Sequence, residues 1–380
     1  MNGTDIRILR AHEIAALLTG RETDVLHAVR AAYEAHAFGV SSLPHSTFLR
    51  FPDSPQNRII ALPAYLGDDF DVAGVKWIAS FPDNHSTGLE RASAVVILNS
   101  LRTGRPEAIL EGSIISAQRT AASAALGAQY LHQDRGVSCV GIIGCGLINL
   151  EIVRFLRVAF PAIDTLVTFD TSEEHVARFK ELCRTRFAGL EVVGVPDAES
   201  VLRTVSLCSL ATTTAEPHIH DLTACPPGST ILNISLRDLS PQAILTCDNV
   251  VDDVDHVCRA QTSVHLAEQL VGNRAFIRCT LADITSGAAV ARAEPDTVAV
   301  FSPFGLGVLD LAVSKLVLDL ALATDQGTVI TSFLPGPMPR PVTYRHVIPA
   351  GPHAETHELS TGETSALPDN VLALASTRTQ

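Results

Sequence analysis

Of the 28 basic residues in this 380-residue chain, only Lys76, Lys180 and Lys315 are lysines, so the sequence defaults to arginine. A lysine kept against that habit raises the question of whether its position needs a compact ammonium that can release its proton, which a guanidinium cannot do. Lys76 lies in Val75-Lys76-Trp77-Ile78-Ala79-Ser80-Phe81, where strand alternation groups it with Ile78 and Ser80 and sends Val75, Trp77, Ala79 and Phe81 to the other face. An ammonium in so apolar a strand needs a carboxylate opposite it or a functional reason to be there. The plainer alternative is an edge lysine that deters aggregation. Arg50 shares a face with Ser46 and Phe48 and could reach the same cleft, or it could be a surface arginine. Arg119 falls in the early turns of an alanine-rich helix, Ser113 to Leu131, where a guanidinium beside a helix N-terminus suits a carboxylate or phosphate. A solvated helix arginine is the alternative. Asp238 follows Ile231-Leu232-Asn233-Ile234-Ser235-Leu236-Arg237, a strand running out into a polar loop. Its carboxylate could stand on the cofactor side where a substrate would meet it, or cap a helix starting near Pro241.

These groups need a partner reactant, and one stretch supplies a seat for it. Val137-Ser138-Cys139-Val140-Gly141-Ile142-Ile143-Gly144-Cys145-Gly146-Leu147-Ile148-Asn149 reads as a buried parallel strand turning into a helix that continues through Glu151 to Phe160. Gly144 permits the tight turn, Gly146 lets a pyrophosphate approach the backbone, and the first helical amides face that anion. The third glycine of G-x-G-x-x-G is replaced by Asn149, which is expected to hold helix and strand slightly further apart. The next strand, Thr165-Leu166-Val167-Thr168-Phe169-Asp170, ends on an acid placed to bond both ribose hydroxyls. A carboxylate there repels a 2′-phosphate and no arginine follows in Thr171-Ser172-Glu173-Glu174, so the reading favours NAD over NADP. A structural glycine turn beside a surface aspartate is the bland alternative.

The bulk of the chain narrows the choices. A formal charge of −13 argues against nucleic acid or an anionic membrane as partner, so any anionic substrate needs local positive charge. No apolar run reaches the ~18 residues of a membrane span, and the opening Met1-Asn2-Gly3-Thr4-Asp5 lacks a basic flank and apolar core, so a cytoplasmic location is expected. The eight cysteines show no C-x-x-C pair or zinc spacing, and Cys139, Cys208 and Cys279 sit in apolar runs, so neither disulfides nor a structural metal are expected. Asp252-Asp253-Val254-Asp255-His256 and His218-Ile219-His220 lack a convincing third ligand and read instead as solvated loop residues or helix caps. No G-x-S-x-G elbow, Walker loop or H-E-x-x-H appears.

The elements follow from periodicity. Glu13 to Phe38 reads as helices covering a sheet. Short strands then follow at His45 to Phe51, Arg58 to Leu62, Val72 to Phe81, Ala92 to Asn99 and Ala108 to Glu111, an antiparallel pattern. Beyond Asp170 strands and helices alternate as a doubly wound parallel sheet requires, with a capping box at Thr171-Ser172-Glu173-Glu174 and strands at Leu190 to Val195, Ser206 to Thr212 and Ser229 to Ser235. Thr212 and Thr213 fall at a strand end on the cofactor side. Phe301-Ser302-Pro303-Phe304-Gly305-Leu306-Gly307 is a turn before the apolar helix Leu309 to Ala323, which returns the chain to its first domain. The expected fold is α/β, a Rossmann-type domain over 131–308 joined to an α+β domain over 1–130 and completed by 309–334. The proline-, histidine- and serine-rich stretch 335–380 is expected to be a disordered tail.

In order along the chain, the lysine strand, the arginine helix, a late nucleotide unit and an aspartate loop resemble the ornithine cyclodeaminase and mu-crystallin family over roughly residues 5 to 334. His45-Ser46-Thr47-Phe48-Leu49-Arg50-Phe51, Trp77-Ile78-Ala79-Ser80-Phe81-Pro82, Ser235-Leu236-Arg237-Asp238-Leu239 and Ser302-Pro303-Phe304-Gly305-Leu306-Gly307 are most similar to its branch of N-(2-amino-2-carboxyethyl)-L-glutamate dehydrogenases, which make 2,3-diaminopropionate for siderophores and peptide antibiotics. The resemblance implies that Arg50, Lys76 and Arg119 bind the carboxylates of a small multi-carboxylate amino-acid substrate, with Arg91 near the cofactor. It implies Asp238 as acid/base, with Lys76 modulating its charge, and Leu147, Ile148, Asp170, Thr212 and Ser235 lining NAD. It also implies a homodimer joined through the first domains' sheets. Cyclodeaminases carry a glycine-rich loop where this chain has Ser235-Leu236-Arg237, which makes proline formation from ornithine the lesser reading, beside a non-catalytic nucleotide binder.

Overall fold

The computed structural model describes residues 4–336, which form two eight-stranded sheets with helix Ser113–Leu131 in contact with strands of both. Most of the stretch read as a tail, from residue 337 onward, lies outside the described residues. By hydrogen-bonded neighbours the first sheet runs Thr328–Ile330, Ile6–Leu9, Pro106–Glu111, Ala92–Asn99, Val72–Ser80, Ser54–Leu66 and Ser41–Ser42, with Thr47–Phe51 also paired to Ser54–Leu66. It is antiparallel except where Ile6–Leu9 lies parallel to Pro106–Glu111, so the antiparallel reading of this region misses one ladder. The register sets Leu62, Lys76 and Val96 side by side on one face. That face also carries the buried Ala64, Leu98 and Leu110, each large apolar side chain contributing about 1.5–3 kcal/mol on burial. Strand Val72–Ser80 is flanked on both sides, which removes the edge-lysine reading of Lys76.

The second sheet is parallel throughout, in the order Glu191–Gly194, Thr165–Phe169, Cys139–Ile143, Leu207–Leu210, Thr230–Asn233, Ala299–Ser302, Asp248–Val251 and Ile277–Thr280. The chain winds outward in both directions from Cys139–Ile143, so the crevice where an open α/β sheet takes its ligands opens at that strand's carboxyl end. The inner strands here, such as Cys139–Ile143 and Leu207–Leu210, are mostly apolar and buried because helices cover both faces.

Helix Ser113–Leu131 is buried along most of its length and packs against helices on both sides, Glu22–Ala37 and Leu147–Ala159. Its alanines make that close approach possible. At Gly127 even a methyl group would stand 2.4 Å from the Phe301 ring of the second sheet. Helix Gly307–Ala323 crosses strands Ser54–Leu66 and Val72–Ser80 on the face that holds Lys76. Among the described residues no helix is long and apolar enough to cross a membrane.

Candidate active site

The carboxylate that Lys76 requires is Asp310. Gly307 opens its helix 3.3 Å from the Leu62 carbonyl, measured from where a Cβ would stand, so the first helical turn sits directly over the sheet. Asp310 is fully buried there, with Lys76 Nζ 2.6 Å from its Oδ2 and Arg119 Nε 3.0 Å from its Oδ1. Lys76 also donates to Ser116 Oγ at 3.2 Å. One buried acid thus holds two cations, which leaves the set with a net positive charge while Lys76 is protonated. Burial pushes the Lys76 ammonium down to about 8, against the raising effect of Asp310, and Arg119 adds to the fall. Gly305, at φ +91°, presses on Arg119: a Cβ there would lie 2.7 Å from its Nη1. The buried Asp252 ties this loop down by accepting from the Phe304 and Gly305 amides at 2.9 and 2.7 Å. Arg119, Ser123, Ile234, Pro303, Phe304 and Gly305 line a cavity of about 130 Å³ at this junction of the two sheets.

The glycine turn has the shape of a nucleotide seat. Gly144 takes φ +93° and a Cβ would strike the Ala211 carbonyl at 2.5 Å, so only glycine fits. At Gly146 a Cβ would meet nothing within 4 Å, leaving open space before the first amides of helix Leu147–Ala159. Leu147 is exposed beside that space and Ile148 half-buried. Asp170 accepts from the Cys145 and Ser172 amides at 2.8 and 3.0 Å, which fixes its carboxylate at the strand end beside the turn. Asn149 does more than space helix from strand. Fully buried, it donates to the carbonyls of Ile143 and Gly144 at 3.0 and 2.7 Å and accepts from Ser209 at 2.7 Å, so it clamps the turn that a third glycine would leave loose.

Asp238 lies at the mouth of the same crevice and is fully buried. Helix Pro241–Leu245 is capped by Ser240 instead, which removes the capping alternative for Asp238. Thr212 donates to Asp238 Oδ1 at 2.6 Å, and His218 Nε2 stands 2.7 Å from that same oxygen. The other oxygen, Oδ2, is buried without a hydrogen-bond partner among the described residues. A carboxylate with one oxygen anchored and the other free is arranged to exchange a proton in one direction. His218 was read as a solvated or capping residue; the geometry corrects this, because folding brings its loop beside the strand end. Asp252 likewise departs from the solvated reading, while Asp253 does cap helix Val254–Val257.

Of the basic residues, the structure joins Lys76 and Arg119 and sets Arg50 apart from them. Arg50 is exposed, pairs in register with Arg58 and stacks over Phe48 at 5.5 Å. Arg91 is half-buried, with its Nε donating to Ser80 Oγ at 3.2 Å. Ser235 donates to the Leu210 carbonyl at 3.1 Å at the end of the adjacent strand. Asp310 went unread in the sequence; a lone acid inside Leu309-Asp310-Leu311-Ala312-Val313 was the available signal, and an unpaired strand lysine was its counterpart.

A parallel sheet with a glycine turn at its switch point, meeting the buried Lys76–Asp310–Arg119 set of a second sheet, is the α/β architecture of a Rossmann-type oxidoreductase. The chain belongs to the ornithine cyclodeaminase/mu-crystallin family, which it matches over residues 6–325. It is 29% identical over 317 residues to N-((2S)-2-amino-2-carboxyethyl)-L-glutamate dehydrogenase of Staphylococcus aureus, covering 80% of this chain and 92% of that one. It is 27% identical over 334 residues to alanine dehydrogenase of Archaeoglobus fulgidus, covering 86% and 98%. Among solved structures, an archaeal alanine dehydrogenase dimer with bound NAD superimposes with a TM-score of 0.76 at 26% identity over 86% of this chain and 99% of the other.

Proposed function

We propose that the chain is an NAD-dependent dehydrogenase that cleaves N-(2-amino-2-carboxyethyl)-L-glutamate to 2-oxoglutarate and L-2,3-diaminopropionate, a step in making siderophores or peptide antibiotics. The observation that carries the reading is the buried Lys76–Asp310–Arg119 set at the junction with the nucleotide sheet. Residues 1–130 with 309–334 hold the substrate and 131–308 hold the cofactor. Gly144, Gly146, Leu147, Ile148, Asp170, Thr212 and Ser235 form the NAD seat; when bound there, NAD accepts a hydride. Lys76 and Arg119 grip a carboxylate through their donors not engaged by Asp310, with Arg50 swinging in from the rim. Asp238 takes the proton from the substrate's secondary amine through Oδ2, and Thr212 and His218 hold the carboxylate in line. Oxidation of the glutamate Cα–N bond leaves an imine. The Asp238 carboxyl returns its proton to the imine nitrogen and, ionised again, draws one from the water that adds, after which the carbinolamine breaks into the keto acid and the diamine. The substrate gives one hydride to NAD and takes up one water, and one proton passes to solvent, so the products are the keto acid, the diamine, NADH and a proton.

The acidic chain's concentration of arginine around this cleft supports a substrate with several carboxylates. The alternative within the family is an ornithine cyclodeaminase or another amino-acid or imine dehydrogenase. A different class again is a nucleotide binder without catalysis. Purified protein mixed with NAD and the N-linked diacid tests the reading: NADH forming one-to-one with 2-oxoglutarate supports it, and neither product appearing refutes it. Ammonia released from ornithine would establish the cyclodeaminase instead. We further propose a cytoplasmic homodimer. Leu49, Tyr65, Trp77 and Val95 all lie exposed on the sheet face opposite Lys76, an apolar surface suited to a second copy.

A further inference from the structure

Arg58 has no counterpart in the roles assigned so far, yet it stands at the centre of a group of guanidiniums. The sheet register pairs it with Arg50 on one side and with Ser80 on the other, and Ser80 is the residue that Arg91 bonds. By strand alternation these side chains share the face of Lys76, four residues along, or about 13 Å away at the usual rise per residue. Arg237 approaches from the aspartate loop of the other sheet. Burial lowers the proton affinity of Arg58, and Arg91, Arg237 and Arg50 lower it further in that order; no carboxylate among the described residues offsets them. Its Nε is buried without a hydrogen-bond partner among the described residues. Four cations held together without an internal anion are poised for an external one.

The backbone around Arg237 reinforces this. Leu236 takes φ 75°, and Ala260 and Gln261 take φ 54° and 58°, left-handed conformations that side chains other than glycine's avoid. Their effect is local and specific: the carbonyls of Ala260 and Gln261 accept from Arg237 Nη2 and Nε, each at 2.8 Å, and fix the guanidinium. Strain concentrated on holding one side chain points to a use for that side chain.

We propose that Arg58, Arg91 and Arg237, with Arg50 at the rim, form a second anion subsite that selects substrates carrying a further carboxylate beyond the one held by Lys76 and Arg119. The inference rests on the active site proposed above and deepens it: the substrate class is an amino acid bearing at least two carboxylates, spread along the sheet face. Arg237 does double duty, since the residue that recognises the far carboxylate directly precedes the acid/base aspartate. Correct occupancy of the subsite therefore settles the loop that carries Asp238.

Titration calorimetry on the NAD-bound protein separates the two carboxylate sites without turnover, with 2-oxoglutarate as the dicarboxylate probe and pyruvate as the monocarboxylate. Wild type is expected to bind 2-oxoglutarate about tenfold tighter than pyruvate or better, the effect of one or more charge-assisted hydrogen bonds. Arg58→Gln and Arg237→Gln each abolish that preference while leaving pyruvate affinity within about twofold. Equal losses on both acids, or no loss on 2-oxoglutarate, would overturn the subsite. NAD affinity reports whether each variant is folded; if Arg58→Gln loses it, Arg237→Gln, on a loop, decides. NADH formation from the N-linked diacid with unaltered dicarboxylate preference in both variants overturns the subsite and leaves the reaction standing. Selectivity without turnover does the reverse.

Discussion

Burial brings the Lys76 ammonium down to about 8, well below an ordinary lysine. Two consequences of opposite sign follow. The grip on a carboxylate weakens as pH rises through about 8, so kcat/KM, which reports the free enzyme, is expected to fall above that value. A flat profile to pH 9.5 would remove Lys76 from the anion site. Stability moves the other way. Between about 8 and the ordinary 10.5 the unfolded chain holds a proton that the folded one has released, so this group's contribution to stability rises with pH across that window. Asp238 and His218 act on the same carboxylate oxygen, so their effects should not multiply. Asp238→Asn is expected to lower kcat by about 10²–10⁴-fold. Adding His218→Leu should lower it little further, whereas full multiplicativity in that double-mutant cycle would mean the histidine acts elsewhere.

At the scale of elements, the loop Pro303–Leu306 links the parallel sheet to the Lys76–Arg119 pair through Gly305. Gly305→Ala places a methyl group in a left-handed backbone and against Arg119, which together cost about 1–2 kcal/mol and displace the guanidinium. The expected result is a raised KM for the diacid with NAD affinity unchanged; an unchanged KM would separate Arg119 from substrate binding. The sequence showed this loop as a glycine turn before a helix but not its target, because the contact joins residues nearly two hundred positions apart. Local signals were readable where one element carries both halves of a motif, as in the strand, turn and acid ending at Asp170. They failed for Asp310, whose partners Lys76 and Arg119 arrive from a strand and a helix far upstream. They failed also for His218, which is tied to Asp238 only once two parallel strands are laid side by side. Several short strands, among them Asp248–Val251, Ile277–Thr280 and Ala299–Ser302, passed unread because four residues are too few for a period to declare itself.

In the whole molecule, two sheets of different construction meet so that one supplies cations and the other an acid and a nucleotide turn. The outer face of the first sheet exposes Leu49, Tyr65 and Val95, and Trp77 there is 46% exposed. Trp77→Glu is therefore expected to convert a dimer to monomer in sedimentation velocity; a wild-type protein that sediments as a monomer would contradict the assembly. The parallel character of the second sheet and its glycine turn were legible from alternating strand and helix runs, whereas its strand order and the pairing of Ile6–Leu9 with both Pro106–Glu111 and Thr328–Ile330 were not, since they depend on where distant parts of the chain return. Everything converges on hydride removal from one carbon, and isotope transfer reads that step most directly. With the N-linked diacid deuterated at its glutamate α-carbon, the reduced cofactor should carry one deuterium per 2-oxoglutarate formed. Reduced cofactor free of deuterium, or keto acid released without any reduced cofactor, would contradict the account.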